Sequence, residues 1–211
     1  MRNRSKLLIK VLIAAISATA LLGMIAGGAS ARSLEVTNWE NGFRIVWNPL
    51  RLEAGGREAS CPVTLEGTFE RHTFAKLTSE RVGKVTEAAV GTCTRNTATA
   101  LRETLPWEVK YNSFGGTLPS ITSITLNLIR ASFQATLEGV TCLARTENSR
   151  PARGIATVSG TSITGFRADE TAGIETTGGF FCSIAGASHF NGNATSITSR
   201  GRTERIGIRL I

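Results

Sequence analysis

The stretch Cys61-Pro62-Val63-Thr64-Leu65-Glu66-Gly67-Thr68-Phe69-Glu70 decides the fold class. Cys61, Val63, Leu65, Gly67 and Phe69 share one side of a two-residue period, and Pro62, Thr64, Glu66, Thr68 and Glu70 share the other. That is a strand with one buried and one wet face. A helix would scatter the same residues around its circumference. The alternation returns in Ile124, Leu126 and Leu128 against Thr125 and Asn127, and in Ile206, Ile208 and Leu210 against Arg205 and Arg209.

Turn chemistry punctuates the runs on either side. Asn41-Gly42, between Leu34 to Glu40 and Phe43 to Glu53, reads as a tight hairpin whose central residues both need positive φ. Ser159-Gly160 and Gly201 are weaker signals of the same kind. Lys76 to Val90 has some helical spacing, but Gly83 and the β-branched Val82 and Val85 favour a hairpin turning near Gly83. The expected class is all-β and antiparallel, a β-sandwich or a closed β-barrel, with about ten to twelve strands of ordinary length. Ser113 to Leu118 echoes Ser132 to Leu137, and Thr64 to Gly67 echoes Thr136 to Gly139. Composition accounts for such matches, because a repeat architecture needs three clear copies.

Residues 1–31 read as a signal peptide. Arg2, Arg4, Lys6 and Lys10 form a basic head, Val11 to Ala26 is apolar, and Ala29-Ser30-Ala31 offers small residues for cleavage before Arg32. A retained anchor is the alternative, but the run is shorter than the about 20 residues that span a bilayer. No cysteine near the cleavage site invites a lipid anchor. What remains, 32–211, is expected to be a single exported β domain, secreted or associated with the cell envelope and not membrane-spanning. Removing the leader lowers the net charge from +8 to +4. The remaining basic residues are dispersed among Thr and Glu rather than clustered, so nucleic acid is not an expected partner.

All four cysteines lie in the exported part, where an even count reads as two disulfides. Of three possible pairings, Cys61 with Cys93 and Cys142 with Cys182 is favoured, because sequential strands are usually neighbours. A zinc site is the weaker reading, since no cysteine pair has the short spacing of a knuckle and only His72 and His189 are available to join them. No metal and no cofactor are expected.

Catalytic signals are sparse. Asp169 is the only Asp, so a Ser-His-Asp arrangement would have to recruit His72 or His189 with Asp169 or a Glu. Nucleophile-elbow, zinc-protease, phosphate-loop and dinucleotide-loop motifs are absent from the sequence. Glu66 with Glu70 and Asp169 with Glu170 are local carboxylate pairs, but adjacency alone makes no glycosidase cleft. A polar strand face or a turn accounts for His72 and His189 without catalysis.

Aromatic residues give the best binding candidates. Trp39, Trp107 and Tyr111, with His72 and His189, form the candidate ligand-binding set, since flat rings with a polar handle suit sugars or apolar ligands at half-wet surfaces. Periodicity offers a plainer account for two of them: Trp107 continues with Val109 and Tyr111, as Trp47 continues Phe43 and Ile45, which places these rings in the core. Trp39, next to the expected turn, is left as the exposed one. Arg200, Arg202, Arg205 and Arg209 make the last strand region basic, either as a solvated face or as a contact for an anionic envelope.

Cys61 to Phe69, Leu105-Pro106-Trp107, Ser113-Phe114-Gly115-Gly116-Thr117-Leu118-Pro119 and Arg167 to Ala172 together resemble a group of uncharacterised exported proteins of actinomycete-type bacteria. The resemblance spans most of the exported part. It implies a signal peptide followed by an all-β domain, and it brings no activity or ligand. The sequence thus points to an exported, soluble, disulfide-stapled β domain that binds without chemistry of its own, with a cell-envelope or carbohydrate surface as partner. Two alternatives remain: a secreted hydrolase using His72 or His189, and an outer-membrane β-barrel.

Overall fold

The computed structural model describes residues 33–54, 56–169, 174–178, 182 and 188–211. The expected signal peptide, residues 1–31, and Glu170 lie outside the described residues. Fifteen strands are described: β1 (Ser33–Val36), β2 (Phe43–Ala54), β3 (Arg57–Phe69), β4 (Thr73–Ala75), β5 (Arg81–Val90), β6 (Thr97–Ala100), β7 (Trp107–Thr117), β8 (Ser120–Ile129), β9 (Ser132–Leu137), β10 (Val140–Arg145), β11 (Ala152–Ser159), β12 (Ser162–Asp169), β13 (Glu175–Gly178), β14 (His189–Ser199) and β15 (Ile208–Leu210). Two single 3₁₀ turns, Trp39–Asn41 and Arg102–Thr104, accompany them. The expected all-β class is found, and the architecture is a barrel. The strand count exceeds expectation because β4, β6 and β13 are only three or four residues long. Strands that short rarely declare themselves by alternation.

Eight strands close into a barrel in the order β2, β3, β5, β7, β8, β11, β12, β14 and back to β2. Every pairing is antiparallel, so each barrel strand lies beside the next one in sequence. Such an up-and-down barrel has no free edge. On β3, Ala59, Cys61, Val63, Leu65 and Gly67 are buried, as their alternation requires. Strand β2 buries Phe43, Ile45 and Trp47, shifts register at Asn48-Pro49, and resumes with Leu50, Leu52 and Ala54. Proline cannot donate to a ladder, and a bulge is one of the few places a sheet tolerates it.

The remaining strands close the two ends. At the near end, where β2 starts, β1 pairs with both β15 and β4. Leu34, Val36, Phe74 and Ile208 are buried there, and the Phe74 ring meets Tyr111 at 6.0 Å. At the far end, where β2 finishes, β6, β9 with β10, and β13 interrupt three of the four barrel connections and assemble as the sheet β13-β10-β9-β6. Its Phe133 packs between Trp107 (5.2 Å) and Phe190 (5.1 Å). Fully burying a side chain of this size contributes about 1.5–3 kcal/mol, so this small sheet corks the barrel. Both expected disulfides, Cys61–Cys93 and Cys142–Cys182, are formed, and both lie at the corked end.

Two turn assignments are corrected. Asn41-Gly42 does not make a hairpin: β1 and β2 belong to different sheets, and Asn41 ends a 3₁₀ turn. Gly42 adopts φ 70° but Asn41 does not take a positive φ, and the reversal swings the chain from the end sheet into the barrel. Gly83 is no turn either. It is buried within β5, beside a register shift against β7 between Arg81 and Gly83, and it lies against the Thr68 carbonyl of β3, 2.5 Å from where a Cβ would sit. Ser159-Gly160 is a hairpin turn as expected, joining β11 to β12. Gly201 lies in a turn after β14, but β14 and β15 do not pair. The Thr64–Gly67 echo is not structural, since one copy is mid-strand and the other covers the β9–β10 turn.

Two stability predictions follow from this packing. A Cβ on Gly67 would sit 2.2 Å from the Lys84 carbonyl oxygen and 2.3 Å from the Phe43 ring. Gly67→Ala should therefore cost about 3 kcal/mol or more in urea unfolding, since overpacking against backbone cannot relax cheaply. Replacing Cys61 and Cys93 together by Ser should cost about 3.5 kcal/mol, the loop-closure value for a span of 32 residues.

Candidate functional site

Where the cork meets the barrel, the packing leaves a partly open chamber of about 80 Å³. Trp47, Leu65, Leu126, Phe133, Phe166 and Phe190 are among the side chains that wall it. The reason for the space lies in the ladder. Leu126 on β8, Gly154 on β11 and Ala168 on β12 stand side by side in register, so two of three neighbouring inward positions carry almost no side chain. The Phe166 ring lies on Gly154 and meets Trp47 edge-on at 5.8 Å. The Trp47 indole N–H donates to the Gly192 carbonyl at 3.2 Å, and Asn127, Arg153 and Asp169 add polar groups to a wall that is otherwise apolar. Apolar surroundings of this kind keep a chamber dry and receptive to apolar guests.

On the outer wall the chemistry is reversed. Arg44, Glu66 and Glu87 stand in one row across β2, β3 and β5. Arg44 meets Glu66 at 3.2 Å, and Arg200 bridges Glu66 (2.8 Å) and Glu87. Lys110, Asn127, Arg153 and Asp169 form a second row across β7, β8, β11 and β12, and the last three also line the chamber. Glu70 is paired with Arg81 at 2.7 Å, and the hydrogen bond to Glu70 raises the pKa of the Arg81 guanidinium. The Glu66 and Glu70 carboxylates are thus occupied by arginines rather than facing each other across a cleft. Of the four C-terminal arginines, Arg200 and Arg209 are held in ion pairs, and Arg202 and Arg205 are exposed.

The candidate binding residues are dispersed. Trp107 and Tyr111 are buried in the core, as their periodicity indicates. Burial raises the Tyr111 pKa, and the Trp107 N–H donates to the Thr104 hydroxyl at 2.8 Å. His72 and His189 lie at opposite ends of the barrel: His72 follows β3 at the near end, and His189 opens β14 at the corked end. They share no site. Trp39 is half-buried rather than exposed, and the fold brings it to His72, with ring centroids 6.0 Å apart. The His72 carbonyl accepts the Val36 N–H at 2.7 Å, so the residue also anchors the end of β1.

Beside that pair, Arg209 on β15 grips Glu35 on β1 with two hydrogen bonds, at 2.7 and 3.2 Å. The Arg209 hydrogen bond holds the Glu35 carboxyl below its ordinary range, and the charges of Arg209 and His72 act in the same direction. The sequence alone did not mark the chamber, because its wall is ordinary core alternation and only the fold shows that the small residues coincide. All four thiols are consumed in disulfides, and no group of three His, Cys, Asp or Glu capable of holding a metal occurs among the described residues. Comparison with protein-family models, with curated proteins and with solved structures finds no match.

A depressed carboxyl pKa favours the folded state above the ordinary carboxylate range, and the benefit disappears as pH falls through the lowered value. Glu35→Gln should therefore melt below the native chain at neutral pH, with the gap closing in acid. Thermal midpoints of both proteins between pH about 3 and 7 test this.

Proposed function

We propose that this chain is an exported, non-catalytic binding protein that takes up the end of an aliphatic chain in the chamber between barrel and cork. The observation that carries the reading is the chamber itself: a void walled mainly by apolar side chains, Trp47, Leu65, Leu126, Phe133, Phe166 and Phe190 among them. Its size selects the guest. At about 80 Å³ it is roughly half the ~150 Å³ cavity known to admit benzene, so a slim methylene chain fits better than a flat ring. The chamber is partly open, so a longer ligand keeps its remaining length outside.

The compartment follows from the cysteines. Two disulfides indicate an oxidising environment, which supports the leader-directed export read from residues 1–31. The resemblance to exported proteins of actinomycete-type bacteria fits the same compartment and adds no ligand. A lipid-facing barrel is disfavoured by the distribution of charge. Arg44, Glu66 and Glu87 form a charged row on the outside of the barrel and the apolar residues sit inside, the inverse of an outer-membrane wall. A hydrolase built on His72 or His189 gains no support from the chamber, because neither histidine lines it.

Titration with straight-chain alcohols, followed by methyl chemical shifts of the chamber residues, tests the reading. Saturable shifts at Leu65 and Leu126 are expected. Ala168→Leu, which fills the chamber from β12, should weaken binding at least tenfold, equivalent to about two lost methylene contacts. Equal binding by this variant, or no saturable shift in the native chain, would contradict the proposal.

A further inference from the structure

A second, smaller void of about 20 Å³ lies between the barrel and the cork, deeper toward the Cys142–Cys182 disulfide. Its wall includes Ala54 from the barrel and Ala135, Leu137, Cys142 and Ala144 from the cork. Three of those five are alanines, so the deep side is spacious by composition. Phe133 and Phe190 belong to the walls of both voids. Their rings meet edge-to-face at 5.1 Å and 68°, and Phe133 is braced from behind by Trp107 at 5.2 Å. Both rings are buried.

From this arrangement we infer that Phe133 and Phe190 form a partition that sets the length of aliphatic chain the protein accepts. The inference rests on the chamber being the ligand site. An incoming chain enters the larger void, runs along Trp47 and Leu126, and stops against the edge-to-face pair. The space beyond the pair is lined mainly by apolar side chains, with Glu53, Thr176 and Ser188 also in its wall, and Phe133 and Phe190 are the two residues it shares with the chamber. Shortening one ring joins the voids into a single channel, and each methylene that the channel then accepts is worth about a fourfold gain in affinity.

The experiment compares native protein, Phe133→Leu, Phe190→Leu and the double variant Phe133→Leu/Ala135→Leu in calorimetric titrations with straight-chain alcohols of increasing length. In the native chain affinity should rise with length and then level off at the partition. In Phe133→Leu the plateau should move to longer chains by at least two methylenes, about a fifteenfold gain for the longer ligands. Adding Ala135→Leu refills the deep void and should return the plateau to its native position, which a general loosening of the core would not do. Phe190→Leu attacks the same partition from the barrel side and provides the test if the Phe133 variant does not fold. If the native protein binds no alcohol of any length, the binding reading falls. If it binds but the single-ring variants keep the native plateau, the partition inference alone is overturned.

Discussion

The structure depends on the ladder that closes the barrel, β2 against β14. Its partners are distant in sequence: Phe43 lies opposite Ser199, and Leu52 opposite Phe190. Closing so long a loop costs entropy before any contact rewards it. The gain is a sheet without edges, and with it a defined inside. Once β2 and β14 pair, the alternating residues of eight strands have only one place to bury, and the charged residues between them must face water.

Closure also creates the problem that the other strands solve. A barrel leaves two open mouths, and each is covered by short strands that lie outside the barrel ladder. The near end is covered by β1, β4 and β15, tied by the Glu35–Arg209 pair. The far end is covered by a four-stranded cork that reaches the barrel through Phe133 and is stapled by Cys142–Cys182. The Cys61–Cys93 bridge fastens β3 to the segment leading into β6, the edge strand of that cork. Both bridges thus secure the end where the chamber lies, and chamber and cork form one functional unit.

Much of this was legible in the residues, and the exceptions have physical causes. The Cys61 to Phe69 alternation identified a half-buried strand because its faces differ sharply in polarity, and the local spacing of the cysteines gave both bridges. Asn41-Gly42 misled because positive φ at a reversal says nothing about which strand receives the chain. Gly83 misled because a glycine needed for close approach to a neighbouring strand's backbone looks the same in sequence as one needed for a turn. Trp39 was expected outside, and instead the swing at Gly42 folds it halfway in, against His72. The chamber was invisible because it arises from coincidence in register: Gly154 and Ala168 are ordinary strand residues until the ladder sets them beside Leu126.

A xenon-pressurised crystal tests the central claim most directly, because xenon enters dry apolar voids and avoids hydrated ones. The account requires a xenon atom at the barrel–cork junction, within contact of Trp47, Leu126, Phe133 and Phe190. Ordered water in that space, or a junction packed too tightly to admit the gas, would contradict it.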